Sequence, residues 1–235
     1  MSRLAPAAPT LAVDHIVVAA RTLAEGATWC EATLGTAPLP GGRHATMATH
    51  NLVLGLSSAR YPCSYLEIIA IDPDAVPVSR PRWFDLDTPA LRQAIADGPQ
   101  LVHWVARTND ISAATGWLRR AGHDAGVAMA AERDSPHGRL RWTIVVRDDG
   151  RRLAGGAIPL LIEWQGVHPA DALPASGVAL EELRLGTVPS ALAEQLGGVA
   201  TSGPPGSAPA LSVRLARGGR PLELVVPPSL ASMPT

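Results

Sequence analysis

A strand followed by a helix recurs along this chain with nearly constant spacing, and this repeat constrains the fold more than any other feature. In the first copy, VDHIVVAA around His15 has apolar residues on both faces of an extended segment, as a buried strand does. Thr22 then provides a helix N-cap, and Gly35 stands where a left-handed C-terminal cap is favoured. The pattern predicts a strand and then a helix of about three turns.

The same order returns after residue 100, and a shortened form of it returns near the C-terminus. LVHWVART carries His103 on a predicted strand, Asp110 can cap the helix that follows, and Gly122 ends it. In the third copy, ALEELRLGT is strand-like, and a short helix is predicted from Pro189, which suits a first turn, to Gly197. The chain therefore contains about two and a half copies of one unit.

Further strands follow each strand–helix pair, so strands outnumber helices and run in sequence within a unit. This arrangement favours an α+β fold with mainly antiparallel pairing, built from paired βαβββ modules and a partial third module. The predicted boundaries are residues 11–100, 101–172 and 175–228. The first range includes an inserted linker with a helix from Pro89 to about Asp97, and TSGPPGSAPA at residues 200–209 is predicted to be a flexible loop.

Two glutamates on apolar strands complete a set of four polar residues. Glu67 lies in SYLEIIAID and Glu163 in LLIEWQG, each on the last strand of a module whose first strand carries His15 or His103. A carboxylate in the middle of an apolar strand is costly to bury without a partner. Two such carboxylates, each matched to a histidine, predict a metal ion as the shared partner.

Composition narrows the functional classes. Apolar residues make up 46% of the 235, which is ample for a buried core, and the net charge of −1 gives no indication of a nucleic-acid or membrane partner. Cys30 and Cys63 form no CxxC pair and no disulfide framework. The first residues, MSRLAPAAPT, have no hydrophobic leader, and no apolar run is long enough to span a bilayer. We expect a cytoplasmic protein.

Several separate motifs together resemble the vicinal oxygen chelate superfamily, and most closely its bacterial glyoxalase-like domain proteins. These motifs are DHIVVAA, GGRH…THN…LGL, YLEIIAIDP and VHWVART, and the resemblance covers about residues 11–175. It implies that two modules enclose one cavity, with a divalent metal (Zn, Ni, Co, Mn or Fe) held by His15, Glu67, His103 and Glu163. It further implies a small substrate with neighbouring oxygens, an enediolate-like intermediate, and isomerase or lyase chemistry with Glu67 or Glu163 as the base.

Two alternatives remain open at this point. An extradiol-type dioxygenase would hold ferrous iron with two histidines and one glutamate and would consume oxygen. A metal-free protein that binds and sequesters a small molecule would keep the cavity without the metal. In either case, the protein could be a monomer or a homodimer.

A few other residues are candidates for substrate contact. His50 is predicted to face the cavity more readily than His44, and Asn51 would then point to the opposite face of a regular strand. Arg82 and Trp83 belong to a cationic, aromatic loop that could cover an anionic substrate. In the third unit, Glu182 replaces the strand histidine, so no metal site is expected there.

Overall fold

The computed structural model describes residues 9–135, 138–186, 188, 196, 199–202 and 209–231. Apart from Leu196, the helix predicted between Pro189 and Gly197 lies outside the described residues, as does most of the loop predicted at residues 200–209. Within the part of the chain that is described, no helix combines the length and apolar character needed to cross a membrane.

The first two units supply eight strands and three helices. The first unit contains β1 (Leu11–Ala19), α1 (Leu23–Leu34), β2 (Leu39–His44), β3 (Thr49–Gly55) and β4 (Tyr65–Ile71). The linker contains α2 (Pro89–Ala96). The second unit contains β5 (Gln100–Thr108), α3 (Ile111–Arg120), β6 (Val127–Ser135), β7 (Gly138–Val146) and β8 (Leu160–Trp164).

All eight strands form one curved sheet in the order β2–β3–β4–β1–β5–β8–β7–β6. Within each unit the first and last strands are parallel, β1 to β4 and β5 to β8, and the other neighbours are antiparallel. The antiparallel pairing of β1 with β5 joins the two units at the centre. The predicted α+β fold of paired βαβββ modules is confirmed.

The helices begin and end where the sequence predicts. The hydroxyl of Thr22 accepts a hydrogen bond from the backbone N–H of Glu25, and Gly35 ends α1 with φ +67°. The Asp110 carboxylate caps α3 in the same way. Both helices pack on one face of the sheet, and α1 approaches β4 so closely that a Cβ on Gly26 would stand 2.4 Å from Ile68 Cγ2. The opposite face of the sheet is therefore left to form a cavity.

One local prediction was wrong. The pair Gly41–Gly42 indicates a turn before a strand, but both glycines lie inside β2, whose pairing with β3 shifts register between Pro40 and Arg43. A short 3-10 helix (Ala45–Met47) makes the turn instead. Glycine is tolerated in an edge strand where the strand bulges or another group approaches the backbone closely, and both conditions hold here.

The C-terminal unit forms a separate sheet in the order β10–β9–β11–β12. Its elements are β9 (Val178–Leu185), β10 (Thr201–Ser202), β11 (Leu211–Arg217), β12 (Arg220–Val225) and α4 (Pro228–Ala231). The strand that carries Glu223, β12, pairs with β11 and not with the first strand of its unit, unlike β4 and β8. Glu223, the glutamate on the last strand of this unit, is therefore not topologically equivalent to Glu67 and Glu163.

Candidate functional site

A cavity of about 290 Å³ opens on the sheet face away from α1 and α3. Every strand of the eight-stranded sheet except β5 contributes to its wall, and so do the linker and the segment after β8. The lining is mainly apolar and aromatic, with a small number of polar side chains. Ligand sites are commonly built in this way, because apolar walls provide affinity and a few polar groups fix orientation.

His15 and Glu67 form the polar centre of this cavity. In the parallel pairing of β1 with β4, Glu67 lies opposite Val17, two residues beyond His15, so both side chains project from the same face. His15 Nε2 lies 3.5 Å from Glu67 Oε2, and both residues are about 5% exposed or less. The pair is close enough to interact, and both residues still line the cavity.

A β-bulge places Asp14 behind His15. The pairing of β1 with β5 shifts between Val13 and His15, which leaves Asp14 as the extra residue. Adjacent residues on a regular strand point to opposite faces, but an extra residue in a bulge breaks that alternation. As a result, His15 Nδ1 donates to Asp14 Oδ1 at 2.6 Å.

The buried Asp14 carboxylate is also anchored from the second unit. Its Oδ2 atom accepts hydrogen bonds from Trp164 Nε1 at 2.8 Å and from His168 Nε2 at 2.9 Å. His168 Nδ1 accepts from the backbone N–H of Ala170, so the proton of the neutral His168 ring lies on Nε2. Asp14 is completely buried, and these donors compensate for its loss of hydration.

The environment favours the charged form of both His15 and Glu67. Burial opposes protonation of His15, but its hydrogen bonds to Asp14 and Glu67 outweigh burial and raise its pKa from 6.5 to about 9. Burial also opposes ionisation of Glu67, yet the contacts with His15 and the hydrogen bond from Asn51 lower the pKa of this carboxyl below its ordinary value. At neutral pH the cavity therefore contains an imidazolium beside a carboxylate.

Asn51 fixes the Glu67 carboxylate. Its Nδ2 donates to Glu67 Oε1 at 2.6 Å, and its Oδ1 accepts from the backbone N–H of Gly42 at 2.7 Å. The second contact settles which end of the amide faces the carboxylate. A Cβ on Gly41 would lie 2.0 Å from Asn51 Oδ1, so only glycine leaves room for this arrangement.

His44 and Tyr65 complete the polar wall. Burial lowers the pKa of His44 to about 4, so its ring is neutral at physiological pH, and its Nε2 lies 3.9 Å from Glu67 Oε1. The Tyr65 ring stacks on His15 with centroids 4.7 Å apart. Burial and the nearby carboxylates raise the Tyr65 pKa well above its usual value, so the phenol stays protonated.

His103 lies on the same sheet but outside the cavity wall. Its Nε2 accepts a hydrogen bond from the backbone N–H of Leu160 at 3.2 Å, and the Phe84 ring packs on it with centroids 5.4 Å apart. Burial, with the nearby positive charge of Arg152, lowers the pKa of His103 well below its ordinary value. His103 is thus a neutral, buried histidine whose Nε2 lone pair is already in use.

Glu163 lies on the opposite face of the sheet from Glu67. Its Oε2 accepts a hydrogen bond from the backbone N–H of Ile111 at 2.9 Å, in the first turn of α3. Ile162 and Trp164, on either side of it in β8, line the cavity instead. A carboxylate at a helix N-terminus is stabilised by the unpaired N–H groups and the helix dipole.

The register of the parallel pair explains why the two glutamates differ. In the first unit, the residue two positions after the histidine pairs with Glu67. In the second unit, the corresponding residue, Val105, pairs with Leu160, so Glu163 comes three positions too late. An odd offset turns a side chain to the other face of the sheet.

Of the three residues predicted to contact substrate, only one lies at the cavity. Trp83 lines the cavity and is 6% exposed. Arg82 pairs with Asp87 at 2.7 Å within the linker, and His50 projects toward Asp72, with 3.9 Å between His50 Nδ1 and Asp72 Oδ1. Neither of these two residues lines the cavity.

The four residues predicted as metal ligands therefore do not fit one ion. His15 and Glu67 converge, but His103 Nε2 already accepts a hydrogen bond, and Glu163 faces α3 across the sheet. Among the described residues, no cluster of three or more His, Cys, Asp or Glu side chains is arranged to hold a metal. The two-histidine, one-glutamate set of an iron dioxygenase is likewise not assembled, because it needs both histidines.

Several cavity residues escaped the sequence analysis. Asn51 lines the cavity where His50 was expected, because the strand THNLVLG directs Thr49, Asn51 and Val53 toward the interior. Burial along this strand alternates, which is a signal that the sequence pattern contained. Asp14 and Arg133 gave no such signal, since a bulge positions the first and a contact between distant strands positions the second.

Comparison with known families agrees with this architecture. The profile of the Glyoxalase-like domain family matches residues 13–199. The chain belongs to the glyoxalase-like domain family. A search of curated proteins found no match.

One of three similar solved structures reaches a TM-score above 0.5, and all three have low sequence identity to this chain. A hypothetical protein from Staphylococcus aureus aligns with a TM-score of 0.52 and 14% identity, over 89% of this chain and 82% of that protein. A variant methylmalonyl-CoA epimerase from Streptomyces coelicolor, in complex with 2-nitronate-propionyl-CoA, gives a TM-score of 0.41 and 19% identity over 68% of this chain and 99% of its own. The Mycobacterium tuberculosis methylmalonyl-CoA epimerase gives a TM-score of 0.38 and 17% identity over 70% of this chain and 93% of that protein. These likenesses concern the fold alone.

Proposed function

We propose that this glyoxalase-like protein is an enzyme that moves a proton on a small carbonyl compound, in an isomerase- or lyase-type reaction centred on His15 and Glu67. The observation that carries the proposal is the His15–Glu67 pair facing an apolar cavity, where Asp14 holds the His15 ring and Asn51 holds the Glu67 carboxylate. Paired titratable groups whose surroundings drive their pKa values apart are typical of acid–base sites.

Each member of the pair has a distinct role in this proposal. Glu67 removes a proton from the carbon next to the carbonyl, and the C–H electron pair forms a carbon–carbon double bond. The carbonyl π pair moves onto the oxygen, which takes the proton of His15 Nε2. Return of the proton to the same carbon, with the enol proton going back to His15, restores the carbonyl compound with the configuration at that carbon open to inversion. In a hydroxy ketone, Glu67 can instead return the proton to the former carbonyl carbon, while the neighbouring hydroxyl gives its proton to His15 and becomes the new carbonyl.

The surrounding residues act by positioning this pair. Asp14 orients the His15 ring through Nδ1 and favours its protonated form, while Asn51 holds one oxygen of Glu67 and leaves the other toward His15. The aromatic walls limit water, which strengthens electrostatic interactions inside the cavity. No step in the proposal passes through a metal, because the predicted ligands do not converge.

Hydrogen–deuterium exchange tests the proposal directly. The protein is incubated in D₂O with a panel of 2-oxo acids, hydroxy ketones and dicarbonyl compounds, and loss of the α-proton signal is followed by NMR. We expect the native protein to accelerate exchange of at least one compound, and Glu67→Gln to lower that rate by about 10²–10⁴-fold, the usual contribution of a general base.

Glu163→Gln is the matched control, because it makes the same change at the other strand glutamate. Its exchange rate should equal that of the native protein. Equal exchange by the native protein and Glu67→Gln would contradict the proposal. Binding of panel members without any exchange would favour the alternative of a metal-free binding protein.

A further inference from the structure

A single arginine reaches the cavity from the strand at the far edge of the sheet. Arg133 lies on β6, and its Nη1 donates to the carbonyl oxygen of Gly41 on β2 at 2.8 Å, so its side chain links the two edge strands of the sheet. Arg133 lines the cavity together with Glu67 and Tyr65. The only hydrogen bond it makes within the described residues uses one of its five N–H donors.

Arg133 differs from the other arginines near it. Arg139 and Arg141, on β7, pair with Glu132 or Asp134 on the surface. Among the described residues, no carboxylate lies within ion-pair distance of Arg133, although it is partly withdrawn from solvent. Burial lowers the pKa of its guanidinium, while the fields of Tyr65 and Glu67 act in the opposite direction. A half-buried cation without a paired anion is an unfavourable arrangement unless an anion arrives.

The backbone beside Arg133 is shaped to admit its side chain. A Cβ built on Gly42 would stand 2.6 Å from Arg133 Nη1 and 2.8 Å from its Cδ and Cζ atoms. The glycine pair in β2 thus makes room for two polar side chains from other strands, since Gly41 accommodates Asn51 of β3 and Gly42 accommodates Arg133 of β6. The absence of a side chain at Gly42, in the bulge of β2, therefore allows the guanidinium to take this position.

The rest of the cavity is suited to an apolar body. Trp83, Trp142 and Trp164 contribute to its wall, and the rings of Trp142 and Trp164 lie 5.4 Å apart. Flat aromatic walls bind flat or branched apolar groups well. The volume of about 290 Å³ is at the lower end for ligand cavities, which fits a small molecule.

We propose that the cavity selects a small apolar molecule carrying one anionic oxygen group, and that Arg133 is the residue that recognises this group. The inference rests on the proposed function only in taking the cavity as the substrate site. A guanidinium offers two parallel N–H donors to a carboxylate or phosphate, and this geometry distinguishes an anion from a neutral polar group. The anionic group then lies at Arg133 while the reacting carbon lies near Glu67.

Three non-reacting probes test this recognition: phenylacetate, phenylacetamide and phenyl phosphate, with affinities measured by isothermal titration calorimetry on the full chain. We expect phenylacetate or phenyl phosphate to bind about tenfold tighter than phenylacetamide, as one charge-assisted contact provides. Comparison of the two anions then shows whether the site takes a carboxylate or a phosphate.

Arg133→Gln should remove the preference and bring the three affinities together, with the amide affinity unchanged. Arg141→Gln, the matched surface control on the neighbouring strand, should keep the preference. If Arg133 only braced β2 against β6, its replacement would weaken all three probes alike, and that result would overturn the proposal. Equal affinities in the native protein, or no binding of any probe at millimolar concentration, would also overturn it.

The two proposals fail separately. Glu67→Gln should lose proton exchange and keep the preference for anionic probes, because that preference depends on Arg133. Loss of the anion preference in Arg133→Gln is a binding result that requires no turnover. A protein that exchanged protons without preferring anions would therefore contradict only the inference about Arg133.

Discussion

The two strand histidines occupy equivalent places in the two units, yet their surroundings give them opposite charge states. His15 lies between the carboxylates of Asp14 and Glu67, and its pKa is raised to about 9. His103 is equally buried but faces Phe84 and the charge of Arg152, and its pKa is lowered well below 6.5. Burial alone would make both neutral, so the neighbouring charges decide the difference.

The two glutamates diverge in the same way. Glu67 faces the cavity, and Glu163 caps α3 on the other face, because the parallel register differs by three residues between the units. The first unit thus supplies the pair that we propose as the acid and the base. The second unit supplies walls and anchors, since Trp164 and His168 hold Asp14. Two copies of one sequence pattern can therefore differ in role: here the first contains the titratable pair that faces the cavity, and the second contains residues that line the cavity and hold Asp14.

The largest expected effect is on the rate of proton exchange, which should depend on His15 and not on His103. His15→Asn should lower proton exchange by about 10²-fold or more, because it removes the proposed acid. His103→Asn should leave the exchange rate of the folded protein within a few-fold of native, because His103 does not line the cavity. NMR exchange rates on variants checked for folding by circular dichroism measure both. A greater loss in His103→Asn than in His15→Asn would reverse the comparison.

The next largest effect is on stability, because His15 and His103 should contribute to it with opposite pH dependence. The folded pKa of His15 is raised, so its contribution is fully present below pH 6.5 and is lost as the pH rises through about 9. The folded pKa of His103 is lowered, so the neutral ring favours the folded state above pH 6.5 and this advantage is lost as the pH falls. Each pKa unit corresponds to about 1.4 kcal/mol, so the shift of His15 from 6.5 to about 9 amounts to about 3 kcal/mol.

Urea unfolding at several pH values tests both signs. His15→Asn should flatten the fall in unfolding free energy between pH 6.5 and 9, and His103→Asn should flatten the fall on the acid side. Unfolding curves that kept the native pH dependence in both variants would show that neither histidine titrates as described.

A smaller effect on the exchange rate is expected from replacement of Asp14, the carboxylate that holds His15 in the first unit. Asp14→Asn removes the charge that favours protonated His15, so the alkaline limb of the pH–rate profile should move toward lower pH. For a shift of one pKa unit, the rate should fall by about tenfold at pH 10 and by only about twofold near pH 8. A purely structural role for Asp14 would lower the rate without moving the limb, and the pH profile of exchange separates these outcomes.

The smallest effect belongs to the second glutamate. Glu163→Gln weakens a helix-terminal contact with the backbone N–H of Ile111, so stability should fall by about 1 kcal/mol or less. Urea unfolding at neutral pH measures this. A loss of several kcal/mol would mean that Glu163 does more than cap α3.

Much of the fold was predictable from local sequence. Thr22, Asp110 and Gly35 mark helix ends because capping depends on a few neighbouring residues. The mainly antiparallel pairing within the modules was predicted from the order of the elements, whereas the parallel pairing of β1 with β4 and of β5 with β8 was not. The strand order of the C-terminal unit did not, because β9 pairs there with β11 and β12 lies at the edge. Hydrophobic pattern alone does not specify which strands become neighbours.

Of the four residues predicted for the site, only His15 and Glu67 line the cavity. The sequence by itself determined a repeated strand histidine and strand glutamate, and so identified His15 and Glu67 as residues with a shared purpose. Only the tertiary structure decided that Glu163 turns away, that Asp14 turns inward and that Arg133 crosses to β2. The physical reason is that a strand side chain changes face with every single-residue shift, and such shifts are fixed by bulges and by pairing between distant strands.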